Sequence, residues 1–175
     1  MKFFFVSAKD KGAQPQLKNW FDILNPRVVN SGNYHEVPEL LNFDVSTSEE
    51  GFSTDVIDSP FLLISNRFSK VAGMYDENLQ FKKFLLYDQE KKDSAVYFLP
   101  TLEYVNCLSD QCEYQNNGAV ISRVVLDRKK IKHMHIFKIA DPRLAGRGAV
   151  ISLELAESAI RRWIFHFKIE EIELA

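Results

Sequence analysis

The sequence predicts an α+β fold, with a mixed or mainly antiparallel sheet and two short amphipathic helices. The chain contains 14 Phe, 6 Tyr and 2 Trp, and aromatic residues are enriched in strands. Most apolar runs are short and bounded by turn residues, which is typical of strands. Two serines, Ser65 and Ser152, each separate such a run from an amphipathic helical pattern.

The bulk composition is that of an ordinary globular protein. The chain has 175 residues, of which 46% are hydrophobic and 26% charged, which predicts a single domain over residues 1–175. Only two cysteines occur, Cys107 and Cys112, too few for a typical disulfide-stapled secreted domain. The apolar run after Lys2 is too short for a signal peptide, and no run approaches the roughly 20 residues that span a membrane. We therefore expect a cytoplasmic protein with no membrane partner.

The first third of the chain predicts few regular elements. Residues 2–7 are apolar and read as a buried first strand. The stretch from Leu17 to Leu24 predicts either a short strand or a helical turn around Trp20 and Phe21. Asn25-Pro26 and Ser31-Gly32-Asn33 are turn signals.

The pattern becomes clearer from residue 60 onwards. Phe61 to Ile64 predicts a short buried strand, and Ser65 is a good helix N-cap because its side-chain oxygen can accept from an early helix N–H. The helix that follows places Phe68, Val71 and Ala72 on one face. Further strands are predicted over residues 79–87, 95–99, 102–108, 120–126 and 135–139.

A similar arrangement recurs near the C-terminus. Residues 149–151 form a short apolar strand, Ser152 is the next candidate cap, and Leu155, Ala159 and Ile160 can share one helix face. Residues 163–174 then predict a closing strand. The sequence therefore predicts two similar strand-helix-strand units. They are either the result of an internal duplication or two ordinary units of the same kind.

The distribution of charge suggests a binding surface. Residues 28–66 contain no Lys or Arg, and the acidic, loop-rich part of this stretch spans about residues 28–59. A concentrated negative surface speeds encounter with a basic partner and disfavours wrong partners. Leu40, Leu41, Phe43 and Phe52 are either apolar anchors of that surface or core residues. The candidate partner-binding residues are the seven carboxylates Glu36, Glu39, Asp44, Glu49, Glu50, Asp55 and Asp58.

Recognisable catalytic or cofactor motifs are absent from the sequence. Gly146 and Gly148 precede a predicted strand rather than a helix, so they indicate a turn and not a phosphate-binding loop. Ser65 and Ser152 lack the flanking glycines of a nucleophile elbow. We therefore expect no catalytic, cofactor-binding or metal-binding residues. The net charge of −2 gives no sign of direct nucleic-acid binding, since the basic cluster at residues 128–132 is balanced elsewhere.

Two histidines support an alternative. On a strand, residues i and i+2 face the same side, so His133 and His135 could bind one metal ion if a further ligand lay nearby. The alternative is accordingly a small histidine-based or metal-dependent enzyme.

The second half of the chain resembles a bacterial immunity-protein family of polymorphic toxin systems, long catalogued as a domain of unknown function. The resemblance covers roughly residues 60–174 and leaves the first 59 residues unmatched. Its motifs are Tyr97-Phe98-Leu99 within residues 95–109, Leu126-Asp127, Ile136-Phe137-Lys138, Ile151-Ser152 with its helix, and Phe165-His166-Phe167.

The resemblance implies a cytoplasmic protein that binds and neutralises a cognate toxin by occlusion, without catalytic residues or a cofactor. We therefore expect an immunity protein whose partner is that toxin. A protein-interaction module with a partner other than a toxin is a second alternative, and the sequence is compatible with a homo-oligomer.

Overall fold

The computed structural model describes residues 1–175 and confirms the α+β class. None of its helices combines the length and the apolar composition needed to cross a membrane. The four helices are α1 (Trp20–Ile23), α2 (Pro26–Asn30), α3 (Asn66–Tyr75) and α4 (Leu153–Arg161). The strands are β1 (Phe3–Ala8), β2 (Gln16–Leu17), β3 (Leu40–Ser46), β4 (Val56–Ile57), β5 (Leu63–Ser65), β6 (Phe81–Asp88), β7 (Asp93–Pro100), β8 (Tyr104–Val105), β9 (Glu113–Gln115), β10 (Val120–Arg123), β11 (Val125–Leu126), β12 (Ile136–Ile139), β13 (Val150–Ser152) and β14 (Phe167–Leu174).

The strands form two six-stranded sheets and one separate hairpin. The first sheet has the order β11-β14-β1-β13-β12-β8, and the second sheet has the order β2-β3-β6-β7-β5-β4. Strands β9 and β10 form the hairpin. Most neighbours are antiparallel, but β3 and β6, β11 and β14, and β8 and β12 run parallel.

A central core joins the two sheets. Phe4 of the first sheet, Ile64 of the second and Leu155 of α4 all belong to this one cluster of buried side chains. A second cluster covers the opposite face of the first sheet, and a third lies on the opposite face of the second. Strands such as β1 are therefore buried on both faces, which explains the unbroken apolar run at the N-terminus.

Both main helices begin where the sequence predicts. The Ser65 hydroxyl accepts a hydrogen bond from the Phe68 N–H at 3.2 Å, and Ser152 accepts from the Leu155 N–H at the same distance. Each helix turns its predicted apolar residues toward the central core. The prediction for Ile160 is wrong, because this side chain is 49% exposed and does not belong to the central core.

The two sheets repeat one arrangement of strands. In the second sheet the order β4-β5-β7-β6-β3 has the same parallel and antiparallel pairings as β12-β13-β1-β14-β11 in the first. A helix follows the second strand in both, since α3 comes after β5 and α4 after β13. The N-terminal strand β1 occupies the place that β7 has in the other copy, so the second unit is completed by the start of the chain.

The correspondence extends to individual bonds. Val56 pairs with Ile64 as Ile136 pairs with Ile151, which makes Asp55 equivalent to His135. The carbonyl of Asp55 accepts from the Ser65 N–H at 2.9 Å, and the carbonyl of His135 accepts from the Ser152 N–H at the same distance. Each of these residues also bonds the serine hydroxyl with its own side chain, at 2.8 Å in both cases.

Several boundaries differ from the sequence prediction. The strand predicted over residues 102–108 is reduced to β8, and that over 120–126 is divided between β10 and β11, which pair with different partners. The closing strand begins at Phe167 instead of Trp163. The Asn25-Pro26 signal starts a short helix, because Asn25 caps it by accepting from the Arg27 N–H.

The acidic segment is more regular than predicted. The seven-residue strand β3 lies within residues 28–59, and β4 follows it near the end of the segment. The alternation of β3 buries Phe43 and Val45 and leaves Asn42 and Asp44 exposed. Composition alone suggested a loop here, whereas pairing with β6 provides the tertiary contacts that order the strand.

Candidate partner-binding face

One face of the second sheet is only partly covered. Side chains alternate along β3, β6 and β7, and one set packs into the third core cluster through residues such as Phe84 and Leu99. On the opposite face, Phe81 and Phe98 pack against the central core, which contains the apolar side of α3. Of the remaining side chains on this face, Pro100 is buried and Leu85 and Ser46 are half-buried, whereas the others lie in solvent.

The exposed part of this face is a regular grid. The strand register aligns Leu40 with Lys83, then Asn42 with Leu85 and Val96, then Asp44 with Tyr87 and Ser94. Leu40 is 55% exposed, and Tyr87 and Val96 are each 41% exposed. We call these eight residues the exposed sheet face: Leu40, Asn42, Asp44, Lys83, Leu85, Tyr87, Ser94 and Val96.

The equivalent face of the first sheet has a different character. Its corresponding positions on β14 carry Glu171 and Glu173, where the second sheet has Lys83 and Leu85. Glu171 forms an ion pair with Lys2 at 2.8 Å, and Glu173 accepts hydrogen bonds from Arg123. The Arg123 guanidinium lowers the pKa of Glu173, and the hydrogen bonds to Glu173 raise the pKa of Arg123. The first sheet thus carries solvent-exposed ion pairs where the second sheet has Lys83 and the half-buried Leu85.

The acidic residues of the predicted segment are dispersed. Asp44 lies on the exposed sheet face itself. Glu49 and Glu50 lie in a turn after β3, where they line a shallow groove together with Asp93 and Ser94. Lys91 fixes this turn by donating to the Thr47 and Ser48 carbonyls. Three of the seven predicted carboxylates therefore lie on the exposed sheet face or beside its Ser94 end.

The other surface carboxylates lie apart from the exposed sheet face or are already engaged. Glu39 precedes β3 and pairs with Lys82, while remaining largely exposed. Glu36 lies in a 3₁₀ turn, 3.8 Å from the ring of His35. Asp58 is half-buried and accepts from the Ala8 N–H at 3.0 Å and from the Gln14 amide at 3.1 Å. Asp58 thus holds neighbouring chain segments together.

The prediction that Asp55 belongs to the contact surface is wrong. Its residue exposure is only 1%. One carboxylate oxygen accepts from Ser65 at 2.8 Å and from Arg67 at 3.3 Å, and the other accepts from the His166 N–H at 3.1 Å. Asp55 is therefore a structural residue that ties α3 to the segment before β14.

The four apolar residues Leu40, Leu41, Phe43 and Phe52, predicted as surface anchors or core residues, differ in their exposure. Leu40 is exposed, whereas Phe43 is 2% exposed and stacks on Phe84 with ring centroids 5.1 Å apart. Leu41 and Phe52 are half-buried against the third core cluster. Only Leu40 remains on the surface, and the sequence reading missed Leu85, Tyr87 and Val96. The alternation of β6 and β7 was the available signal, because it places these three on the face opposite Phe84.

The two histidines of the alternative hypothesis do not share a strand. His133 is exposed in the turn before β12, whereas His135 is half-buried. The ring of His135 bonds Ser152 through Nδ1 at 2.8 Å and packs edge-on against Tyr75. No group of three or more His, Cys, Asp or Glu side chains lies close enough together to hold a metal ion.

A separate exposed pair of aromatic residues lies on the turn between α4 and β14. Trp163 is 76% exposed and Phe165 44%, and their ring centroids are 6.4 Å apart. Trp163 has a φ of 61°, an unusual conformation for a bulky residue. This turn offers a second apolar surface against which the exposed sheet face can be compared by mutation.

Comparison with known proteins adds no family assignment. No protein-family model matches the chain, and no curated protein matches it significantly.

Proposed function

We propose that this chain is an immunity protein that neutralises a toxin by binding it through the exposed sheet face. The observation that carries the proposal is the contrast between the two copies of the unit. The equivalent face of the first sheet carries solvent-exposed ion pairs such as Lys2–Glu171, whereas the second sheet exposes the apolar side chains of Leu40, Tyr87 and Val96. Contiguous exposed apolar side chains with a polar surround are typical of interaction sites.

The size of the exposed sheet face fits the centre of an interface. Strands lie about 4.8 Å apart and alternate residues about 6.8 Å apart, so the grid measures roughly 10 by 14 Å. A stable interface buries about 800 Å² on each partner, and a few central residues supply most of its binding energy. Tyr87 is the best candidate anchor, because tyrosine is enriched among such residues.

The charges around the exposed sheet face favour a basic toxin. Asp44 lies on it, and Glu49, Glu50 and Asp93 lie at or beside its Ser94 end. The neighbouring cations are Lys83, Lys91 and Lys18, one fewer than the four carboxylates. Lys18 lines a groove together with Asp44 and Tyr87, and Lys91 already donates to backbone carbonyls. A net negative surround attracts a positively charged partner and accelerates association at low ionic strength.

The proposal is tested with the toxin-like product of a neighbouring gene. Co-expression of this chain is expected to restore growth, and the purified proteins are expected to form a one-to-one complex. Tyr87→Ala should weaken binding by about 10- to 100-fold if Tyr87 is a central anchor. Ile169→Ala is the matched control, because Ile169 lies on the corresponding face of the first sheet and is 36% exposed.

Three outcomes would overturn the proposal or its binding face. Failure of the chain to restore growth excludes toxin neutralisation. A binding loss in Trp163→Ala with none in Tyr87→Ala moves the binding site to the α4–β14 turn. Concentration-dependent dimerisation that Tyr87→Ala abolishes assigns the exposed sheet face to a second copy of this chain.

A further inference from the structure

A cavity of about 240 Å³ lies where the two units of the fold meet. Asp58 comes from the segment after β4, and Lys138 from β12. These are equivalent positions, since each lies two residues after the paired residues Val56 and Ile136. The cavity is therefore lined by the same position from both copies, with a carboxylate in one and an amine in the other.

The cavity has an apolar wall and a polar side. The half-buried Pro60 and Ala145 supply apolar surface to the cavity, and Phe61, Leu99 and Leu102 lie at its lining with almost no exposed surface of their own. Tyr34 and Lys11 contribute to the polar side. Since one water occupies about 30 Å³ of liquid, the volume corresponds to roughly eight waters. This space suits a compact ligand of about that many heavy atoms.

The amines of the cavity lack carboxylate partners. The Lys138 ammonium donates only to the Arg147 carbonyl, at 3.3 Å. Asp58 is the nearest acid, but its two oxygens already accept from Ala8 and Gln14. Burial lowers the pKa of Lys138, and the charge of Asp58 opposes that effect. Lys11 also lines the cavity, so the lining contains two lysines and a single carboxylate, that of Asp58.

We propose that this cavity binds a small organic carboxylate with a compact apolar body. The carboxylate would accept from Lys138 and Lys11, and the body would pack against Pro60 and Ala145. An ionised ligand supplies the hydrogen-bond acceptors that the Lys138 ammonium lacks. The apolar wall distinguishes such a ligand from inorganic phosphate, which has no surface to bury there. This site is independent of the proposed toxin-binding face.

Benzoate is a suitable probe, because it has a planar apolar body and a single carboxylate. Its binding to the full chain can be followed by NMR titration and calorimetry, with benzamide as the neutral control and inorganic phosphate as the control without an apolar body. We expect saturable benzoate binding, with benzamide at least about tenfold weaker because a hydrogen bond to a charged group is lost. The NMR shifts should be confined to the cavity residues.

Lys138→Met removes the charge but keeps the apolar stem, and it should weaken benzoate binding by about 10- to 100-fold. Lys129→Met is the matched control at an exposed lysine outside the cavity and should leave binding unchanged. If Lys138→Met unfolds, the same comparison is made with Lys11→Met. Equal binding of benzoate and benzamide, equal binding of phosphate, or shifts spread over the whole surface would each overturn the assignment.

Discussion

Replacing Gly148 with alanine tests how closely the segment before β13 approaches β1. A Cβ at this position would lie 1.6 Å from the Val6 carbonyl oxygen, whereas ordinary contact begins at 3.4 Å. The two backbones would have to separate by about 2 Å. That movement breaks the hydrogen bond from the Val6 N–H to the Ala149 carbonyl, at present 2.8 Å long.

The expected cost follows from three contributions. Rearrangement to relieve the overlap costs about 1–3 kcal/mol, and each lost hydrogen bond costs about 0.5–1.5 kcal/mol. Alanine also restricts the unfolded chain more than glycine does, and this loss of conformational entropy stabilises the folded state by about 0.4–1 kcal/mol. We expect Gly148→Ala to lower the free energy of unfolding by about 2 kcal/mol, within a range of roughly 0.5–4 kcal/mol. For a chain of this size a loss of about 2 kcal/mol lowers the unfolding temperature by roughly 4–8 °C.

Gly146 provides the matched control two residues away. No heavy atom lies within 4 Å of a Cβ built there, so Gly146→Ala should be neutral or stabilising by up to about 1 kcal/mol. Urea denaturation followed by circular dichroism gives both free energies, and a thermal scan gives the unfolding temperatures. The reasoning is refuted if the two variants have equal stabilities, or if Gly148→Ala lowers the free energy of unfolding by less than about 0.5 kcal/mol.

Three further predictions concern buried polar groups. Asp55→Ala should cost about 2–4 kcal/mol in urea denaturation, because it leaves the Ser65 hydroxyl and the His166 N–H without their acceptor; Glu49→Ala, at an exposed position, should change stability by less than about 0.5 kcal/mol. Hydrogen bonds from Thr47 lower the pKa of Asp88 from 3.8 to about 2, so its contribution to stability is complete above pH 3.8 and is lost as the pH falls towards 2. Thr47→Val should reduce that acid dependence, and an unchanged pH profile would contradict the assignment. Burial raises the pKa of the Cys107 thiol to about 11. Iodoacetamide at neutral pH should therefore leave Cys107 unmodified until the chain is unfolded, which mass spectrometry can show. Rapid alkylation of the native protein would contradict the burial of this thiol.

The sequence was most informative where the determining interactions are local. Ser65 and Ser152 cap their helices by accepting a hydrogen bond from the backbone N–H three residues later in the chain. This spacing is visible in the sequence without any tertiary information. The alternation of residues 81–87 predicts a strand for the same reason. The strand positions and the α+β class therefore followed from short-range patterns.

The residues of the candidate site were harder to predict from the sequence. Asp44 and Leu40 were recognised, but Tyr87 and Val96 were not, because their exposure depends on how far α3 and the central core extend over the second sheet. Asp55 looked like a member of an acidic surface and is instead fully enclosed. Charge and composition report what a segment contains but not which side of a sheet it occupies.

By itself, the sequence determined the fold class, the two capped helices and the positions of strands such as β1, β6 and β13, because these depend on hydrogen bonds and side-chain periodicities within a few residues. Only the tertiary structure decided that β1 completes the second unit by pairing with β13 and β14. It also decided that Asp55 and His135 are equivalent, and that one copy of the shared face carries exposed ion pairs while the other exposes apolar side chains. These features join residues more than a hundred positions apart or compare separate copies of one unit. Their geometry follows from packing the whole chain around one core, which no local pattern encodes.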